Sequence, residues 1–180
     1  MGIELVSLES PEQARSFAIE SNGPEDTQAI GRLLGESAGA GDVFLLVGDL
    51  GAGKTCLTQG ILFGLGSDEF ARSPTFILVS QYPGRLTMYH MDLYRLNSFT
   101  EVLDLGLDEY LYGDGVSVVE WADKAAEAFP ESHMLVEIEY TGEDTRRLSF
   151  TARGAHYREI LKKIKAMGSA HTCKQGGVRS

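Results

Sequence analysis

Hydrophobic positions along the chain switch between strand and helix spacing. Val43 to Val47 is an unbroken apolar run of strand length, as expected for a strand covered on both faces. Upstream, Ser16 to Glu20 predicts a short strand. Ile30, Leu33 and Leu34 then share a helix face, with Asp26 or Thr27 placed to cap that helix and Gly39 to Gly41 placed to end it. Downstream, Leu57, Ile61, Leu62 and Leu65 return to helical spacing, and Gly64 and Gly66 flank the helix end. Phe76 to Tyr82 and Leu86 to Asp92 are strand-like runs separated by Pro83, Gly84 and Arg85, which predicts an antiparallel hairpin.

Leu93 to Leu111 reads as helix in pieces, broken near Gly106. Val116 to Val119 is a short buried strand ending at Glu120 and Trp121. Asp123 to Phe129 predicts a short helix stopped by Pro130. Met134 to Tyr140 and Arg147 to Ala152 alternate in polarity across Thr141 to Thr145, so they predict a second hairpin with one wet face. Tyr157, Ile160, Leu161, Ile164 and Met167 mark a final amphipathic helix. The expected organisation is one domain over residues 16–167, an N-terminal extension over 1–15 and a disordered tail over 168–180. A length of 180 residues suits a single core.

One segment adds chemistry to this pattern. Gly48-Asp-Leu-Gly-Ala-Gly-Lys-Thr55 follows the apolar strand, opens the next helix and matches G-x-x-x-x-G-K-[ST]. Glycines let backbone N–H groups turn inward around phosphate oxygens without a Cβ in the way. The helix N-terminus adds a positive dipole end aimed at the same anion. Lys54 is placed to reach the β- and γ-phosphates, and the Thr55 hydroxyl to ligate Mg²⁺. The segment predicts ATP or ADP bound by Asp49, Leu50, Gly51, Ala52, Gly53, Lys54, Thr55 and Cys56. The expected fold is α/β, a P-loop NTPase-like three-layer sandwich whose central sheet is mixed because of the hairpins.

Such a loop needs a carboxylate near its metal. Asp92 ends a strand and is a candidate Mg²⁺ ligand, with a helix N-cap as the alternative. Glu120 also ends an apolar strand. It is placed either to position water and help ligate Mg²⁺ or to sit as a surface carboxylate. Trp121 is the single tryptophan, a nucleotide-adjacent ring or a core aromatic. Thr75, beside Pro74, is either a γ-phosphate sensor or an ordinary strand-start residue. No Asn/Thr-Lys-x-Asp guanine-reading element is present, so adenine is the expected base.

Charge and cysteine usage narrow the partners. The formal net charge is −10, which disfavours direct binding to RNA or DNA. Arg146, Arg147, Arg153, Arg158, Lys162, Lys163 and Lys165 gather late in the chain, and the simplest reading of them is a solvated face. The two cysteines, Cys56 and Cys173, and the scattered histidines suggest neither a disulfide nor a zinc site. No apolar run approaches the ~18 residues that span a bilayer. Met1 to Gln13 lacks a signal-peptide pattern, and a cytoplasmic location is expected.

Together, Gly48 to Thr55, Ser73-Pro-Thr-Phe76, His90-Met-Asp-Leu-Tyr-Arg95 and Val119-Glu-Trp121 resemble the TsaE (YjeE) family of bacterial P-loop ATPases. A looser likeness runs through Leu105 to Tyr110 and Asp144 to Gly154, and the resemblance spans about residues 16–160. It implies a Mg²⁺-dependent ATPase needed to form N6-threonylcarbamoyladenosine at position 37 of tRNAs that read ANN codons. It also implies action with a TsaB–TsaD complex, through which tRNA is met indirectly, and hydrolysis that is slow without those partners. On this resemblance Lys54, Asp92 and Glu120 are the catalytic residues, and Thr55, Asp92 and Glu120 form the metal set. Thr75 becomes the switch threonine and Trp121 the nucleotide-adjacent ring. Cys56 departs from the family, which commonly has a hydroxyl there. A thiol is a weaker partner for a phosphate oxygen, so a lower nucleotide affinity is expected. The competing reading is a small P-loop metabolite kinase, for which Arg146 and Arg147 are the candidate lid arginines.

Overall fold

In the computed structural model, residues 15–74 and 79–175 are described, those after 169 by their backbone alone. Among the described residues seven strands form one sheet: β1 (Ser16–Ser21), β2 (Val43–Val47), β3 (Val79–Tyr82), β4 (Met88–Asp92), β5 (Val116–Glu120), β6 (His133–Tyr140) and β7 (Arg146–Arg153). Their spatial order is β1-β7-β6-β2-β5-β4-β3. The central strands β6, β2, β5 and β4 run parallel, while β1, β7 and β3 pair antiparallel at the two sides. Both expected hairpins are therefore present and the sheet is mixed.

Alternation along β2 divides the core in two. Phe44 and Leu46 face one side, where α1 (Pro24–Ser37), α2 (Lys54–Gly64) and α5 (Ala155–Gln175) cover them with Ile30, Leu34, Leu57, Ile61, Tyr157 and Ile160. Val43 and Leu45 face the other, against α3 (Phe99–Asp104), α4 (Asp108–Leu111) and a 3-10 segment, Ala122–Ala128. This is the three-layer arrangement, and it explains why the β2 pattern is continuous rather than alternating.

Glycine permits the close packing of α1 on α2. A Cβ at Gly31 would lie 2.4 Å from the Leu57 carbonyl oxygen, and one at Gly35 only 2.1 Å from that of Ile61. Facing them, a Cβ at Gly60 would lie 2.3 Å from the Gln28 oxygen and one at Gly64 2.2 Å from the Arg32 oxygen. The backbones approach where no side chain fits, and this fixes α2, which carries the site, against the rest of the fold. Arg85 Nη2 donates to the Gly35 and Ala38 carbonyls at 2.6 and 2.7 Å, placing a cation at the C-terminus of α1.

Several sequence expectations shift. α1 begins at Pro24 with Gly23 as N-cap, not at Asp26 or Thr27. Proline at the first helical turn loses no N–H that the helix needs. Thr27 instead turns inward, and its hydroxyl meets that of Ser21 at 2.7 Å. β4 begins at Met88 rather than Leu86. The helix expected over Asp123 to Phe129 is instead a 3-10 segment that is kinked at Ala125 (φ −149°, ψ 44°) and ends at Ala128, with Phe129 extended. The last helix does not stop at Gly168 but continues to Gln175. Thr75 and the strand expected over Phe76 to Leu78 lie outside the described residues.

Candidate functional site

β2 delivers the chain to the loop Gly48–Gly53 at the C-terminal end of the sheet, and α2 starts at Lys54. Gly53 has φ 114°, a left-handed conformation that glycine adopts without steric cost, and its missing Cβ would point into open space. That opening leaves room for a ligand against the loop backbone. Gly48 is required for another reason: a Cβ there would lie 2.5 Å from the Ile138 carbonyl oxygen of β6.

Register brings the carboxylates together. β4 and β5 are parallel neighbours with Asp92 directly opposite Glu120, so both project from the ends of adjacent strands beside α2. Thr55 Oγ1 donates to Glu120 Oε2 at 3.1 Å. The Thr58 hydroxyl is shared between the Lys54 carbonyl at 3.0 Å and Glu120 Oε1 at 3.2 Å, and His90 Nε2 lies 2.8 Å from the same carboxylate oxygen. Glu120 is 2% exposed and His90 fully buried, and among the described residues His90 Nδ1 has no hydrogen-bond partner. Asp92 Oδ2 accepts a hydrogen bond from Ser73 Oγ, and Oδ1 accepts from the Tyr94 N–H at 2.9 Å. The N-cap of α3 is Ser98, so Asp92 caps only its own local turn.

Lys54 lies inside this group, 5% exposed. Its ammonium donates to the carbonyls of Gly48 (2.5 Å) and Asp49 (2.9 Å) and sits 3.9 Å from the Trp121 ring centroid. Burial pushes its pKa below the usual 10.5, against the opposing pull of Glu120, Asp92, Asp123 and Asp49. Trp121 has φ 59°, uncommon for a bulky residue, and packs on Tyr94 with ring centroids 5.0 Å apart. The ring therefore stands at the Lys54 end of the pocket.

The pocket holds about 250 Å³, and Leu50, Gly51, Gly53, Thr55, Ser73 and Tyr94 are among its walls. Larger clefts, about 760 Å³ beside Arg153 and about 550 Å³ beside His156, lie where β6 and β2 begin, away from the glycine loop. The smaller pocket combines a glycine turn, a helix start, a buried lysine and two carboxylates.

Leu50, Gly51, Gly53, Lys54, Thr55, Cys56, Asp92, Glu120 and Trp121 line this pocket, while the Asp49 carbonyl accepts from Lys54 and the Ala52 carbonyl from Arg146. Cys56 turns toward α1, its thiol donating to the Pro24 carbonyl at 3.5 Å, and burial raises its pKa. Sequence reasoning missed Thr58 and His90. Their signals were present: Thr55 and Thr58 are three apart on a helix, and His90 and Asp92 two apart on a strand, so each pair shares a face. Among the described residues no three His, Cys, Asp or Glu side chains form a metal cluster by themselves. A magnesium site fits these residues nonetheless, because Mg²⁺ commonly takes one or two carboxylates and completes its shell with phosphate oxygens and water.

A family profile described as threonylcarbamoyl adenosine biosynthesis protein TsaE matches residues 21–148. The chain belongs to the TsaE family. It is 44% identical over 142 residues to the tRNA threonylcarbamoyladenosine biosynthesis protein TsaE of Bacillus subtilis, covering 78% of this chain and 89% of that one. It is 40% identical over 129 residues to the protein of the same name from Treponema pallidum, covering 72% of this chain and 96% of that one. The crystal structure of Bacillus subtilis YdiB superposes with a TM-score of 0.72 at 38% identity, over 85% of this chain and 96% of YdiB. The stretch matched by the TsaE profile contains the glycine loop, Asp92, Glu120 and the β6–β7 turn, whereas α5 lies beyond it. Among the described residues of this TsaE-family chain, no helix is long and apolar enough to cross a membrane.

Proposed function

We infer that the chain binds ATP with Mg²⁺ at the Gly48–Thr55 loop and hydrolyses it to ADP and phosphate. In this reading it is the cytoplasmic ATPase subunit for N6-threonylcarbamoyladenosine formation at position 37 of tRNAs that read ANN codons, acting with a TsaB–TsaD complex. The observation that carries the reading is the convergence of Lys54, Thr55 and Glu120 on the helix start beside the glycine turn, with Asp92 in register. Membership of the TsaE family supplies the pathway.

Each residue has a distinct task. Backbone N–H groups of the loop and the α2 N-terminus hold the phosphates. Lys54 exchanges the carbonyls of Gly48 and Asp49 for phosphate oxygens, which compensate a buried cation far better. Thr55 and Asp92 would hold Mg²⁺, which when bound neutralises charge on the phosphate oxygens. As Thr55 turns to that task, Glu120 Oε2 becomes free to accept a hydrogen bond from the attacking water. Thr58 and His90 keep Oε1 fixed meanwhile, so the carboxylate does not rotate away.

The kinase alternative draws less support, because its two candidate lid arginines are engaged elsewhere. Arg146 donates to backbone carbonyls of the loop and of its own hairpin turn, and Arg147 pairs with Glu20 at 3.3 Å across β1. The test is reconstitution with TsaB, TsaD, tRNA, ATP and an activated threonylcarbamoyl donor, following free phosphate and modified adenosine. Wild-type chain should support repeated turnover, and Glu120→Gln should bind ATP yet lower turnover by about 10²-fold, the scale of a lost general base. Modification that proceeds equally well without the chain, or a phosphorylated metabolite in place of free phosphate, overturns this reading.

A further inference from the structure

β6 is longer than β2, and this brings a second group of side chains to the glycine loop. The parallel register pairs Val47, the last residue of β2, with Glu137. Ile138, Glu139 and Tyr140 therefore run on beside the loop where β2 has ended. Tyr140 Oη donates to the Leu50 carbonyl at 3.2 Å, and a Cβ at Gly51 would lie 2.7 Å from that hydroxyl. Opposite Tyr140 at the head of the hairpin stands Arg146. Its Nε donates to the Ala52 carbonyl at 3.1 Å. Its Nη1 lies 2.9, 3.2 and 3.4 Å from the carbonyls of Thr145, Glu143 and Gly142 in the β6–β7 turn. The guanidinium also lies over the Tyr140 ring, 4.1 Å from its centroid.

We propose that Tyr140 and Arg146 are positioning residues for nucleotide binding, a two-point clamp that holds the glycine loop in its phosphate-receiving conformation. This rests on the nucleotide-binding reading above. A glycine-rich loop is the most entropic backbone in the molecule, and its N–H groups converge on an anion only while its carbonyls face outward. Leu50 and Ala52 carry two such outward carbonyls, on either side of Gly51, and each is taken by one residue of the hairpin. The Arg146 fork is planar, so Nε and Nη1 tie two different loops to one rigid group, which a lysine cannot do. Fixing the loop in advance removes an ordering cost from binding, so the clamp acts on affinity rather than on the chemical step.

The experiment measures ATP and ADP affinity, the KM and kcat of the partner-stimulated ATPase, and nucleotide-free melting for five proteins. These are wild type, Arg146→Gln, Arg146→Lys, Tyr140→Phe and, as a control on the neighbouring exposed pair, Arg147→Gln. Arg146→Gln should weaken nucleotide binding about tenfold, the scale of one charge-assisted hydrogen bond. KM should rise in step while kcat at saturation stays within about twofold, the signature of lost uniform binding. Tyr140→Phe should act in the same direction with a smaller change. Arg146→Lys should fail to restore affinity, and Arg147→Gln should match wild type. Melting without nucleotide should stay close to wild type, since Tyr140 is 47% exposed and Arg146 lies at the hairpin end. Wild-type affinity in a folded Arg146→Gln chain overturns the clamp. So does full rescue by Arg146→Lys, which would mean that only the charge matters. A wild-type chain that binds no nucleotide overturns the ATPase reading along with it.

Discussion

Lys54 is a cation taken out of water before any anion arrives, and that sets its pH behaviour. Its folded-state pKa is lowered by desolvation, while the unfolded lysine stays near 10.5. Between those two values the folded chain binds fewer protons than the unfolded one, so its contribution to stability improves as pH rises through that window. Below the window the full burial cost remains. Nucleotide affinity runs the other way, because phosphates need the charged form. Affinity should therefore start to fall at a lower pH than an ordinary lysine would dictate. A titration of nucleotide affinity against pH checks this, with Lys54→Arg as the partner experiment. The arginine chain should bind more weakly but lose the alkaline fall, since its guanidinium stays charged. A fall that persists unchanged in Lys54→Arg assigns the titration to another group. Lys54→Ala should bind little nucleotide while still folding, because relief of the buried charge offsets the lost bonds to Gly48 and Asp49 and the contact with Trp121.

Among the elements, α2 carries the most constraint. It presents Lys54, Thr55 and Thr58 to the site on one side and lies backbone to backbone against α1 on the other. Gly35→Ala should force the helices apart, because its Cβ would sit 2.1 Å from the Ile61 carbonyl oxygen, far inside contact distance. Overpacking of this kind costs about 1–3 kcal/mol, which for a chain of this size lowers the melting temperature by about 5 °C. Gly39→Ala is the matched control, since its Cβ would meet only ordinary contacts near His156 and Asp42 at 3.8 and 3.9 Å. Equal melting temperatures for the two variants would mean that α1 and α2 have slack the geometry does not suggest. The 3-10 segment after β5 is the other constrained element. Trp121 enters it in a left-handed conformation, and its ring is held between Lys54 and Tyr94.

At the scale of the whole molecule, charge governs access to RNA. With a net charge of −10 the chain lacks the excess of Lys and Arg that phosphate neutralisation requires. In a mobility-shift assay at physiological salt the isolated chain should leave tRNA unshifted at micromolar concentrations, and retention should appear only with TsaB and TsaD present. Micromolar binding by the chain alone would make the late basic residues an RNA surface after all. The sequence by itself determined the glycine loop, Lys54 and Thr55, because a strand, a tight turn and a helix start are contiguous and their chemistry is local. It also determined that Asp92 and Glu120 end strands, and that two hairpins make the sheet mixed. Tertiary structure decided that β4 and β5 are neighbours in a register that sets Asp92 against Glu120. It also decided that Thr58 and His90 converge on one carboxylate oxygen, and that β6 overruns β2 to carry Tyr140 and Arg146 to the loop. Spacing reports which residues share a face of one element. Which strands become neighbours, and in what register, depends on how helices pack across the whole sheet, and no local window of sequence contains that information.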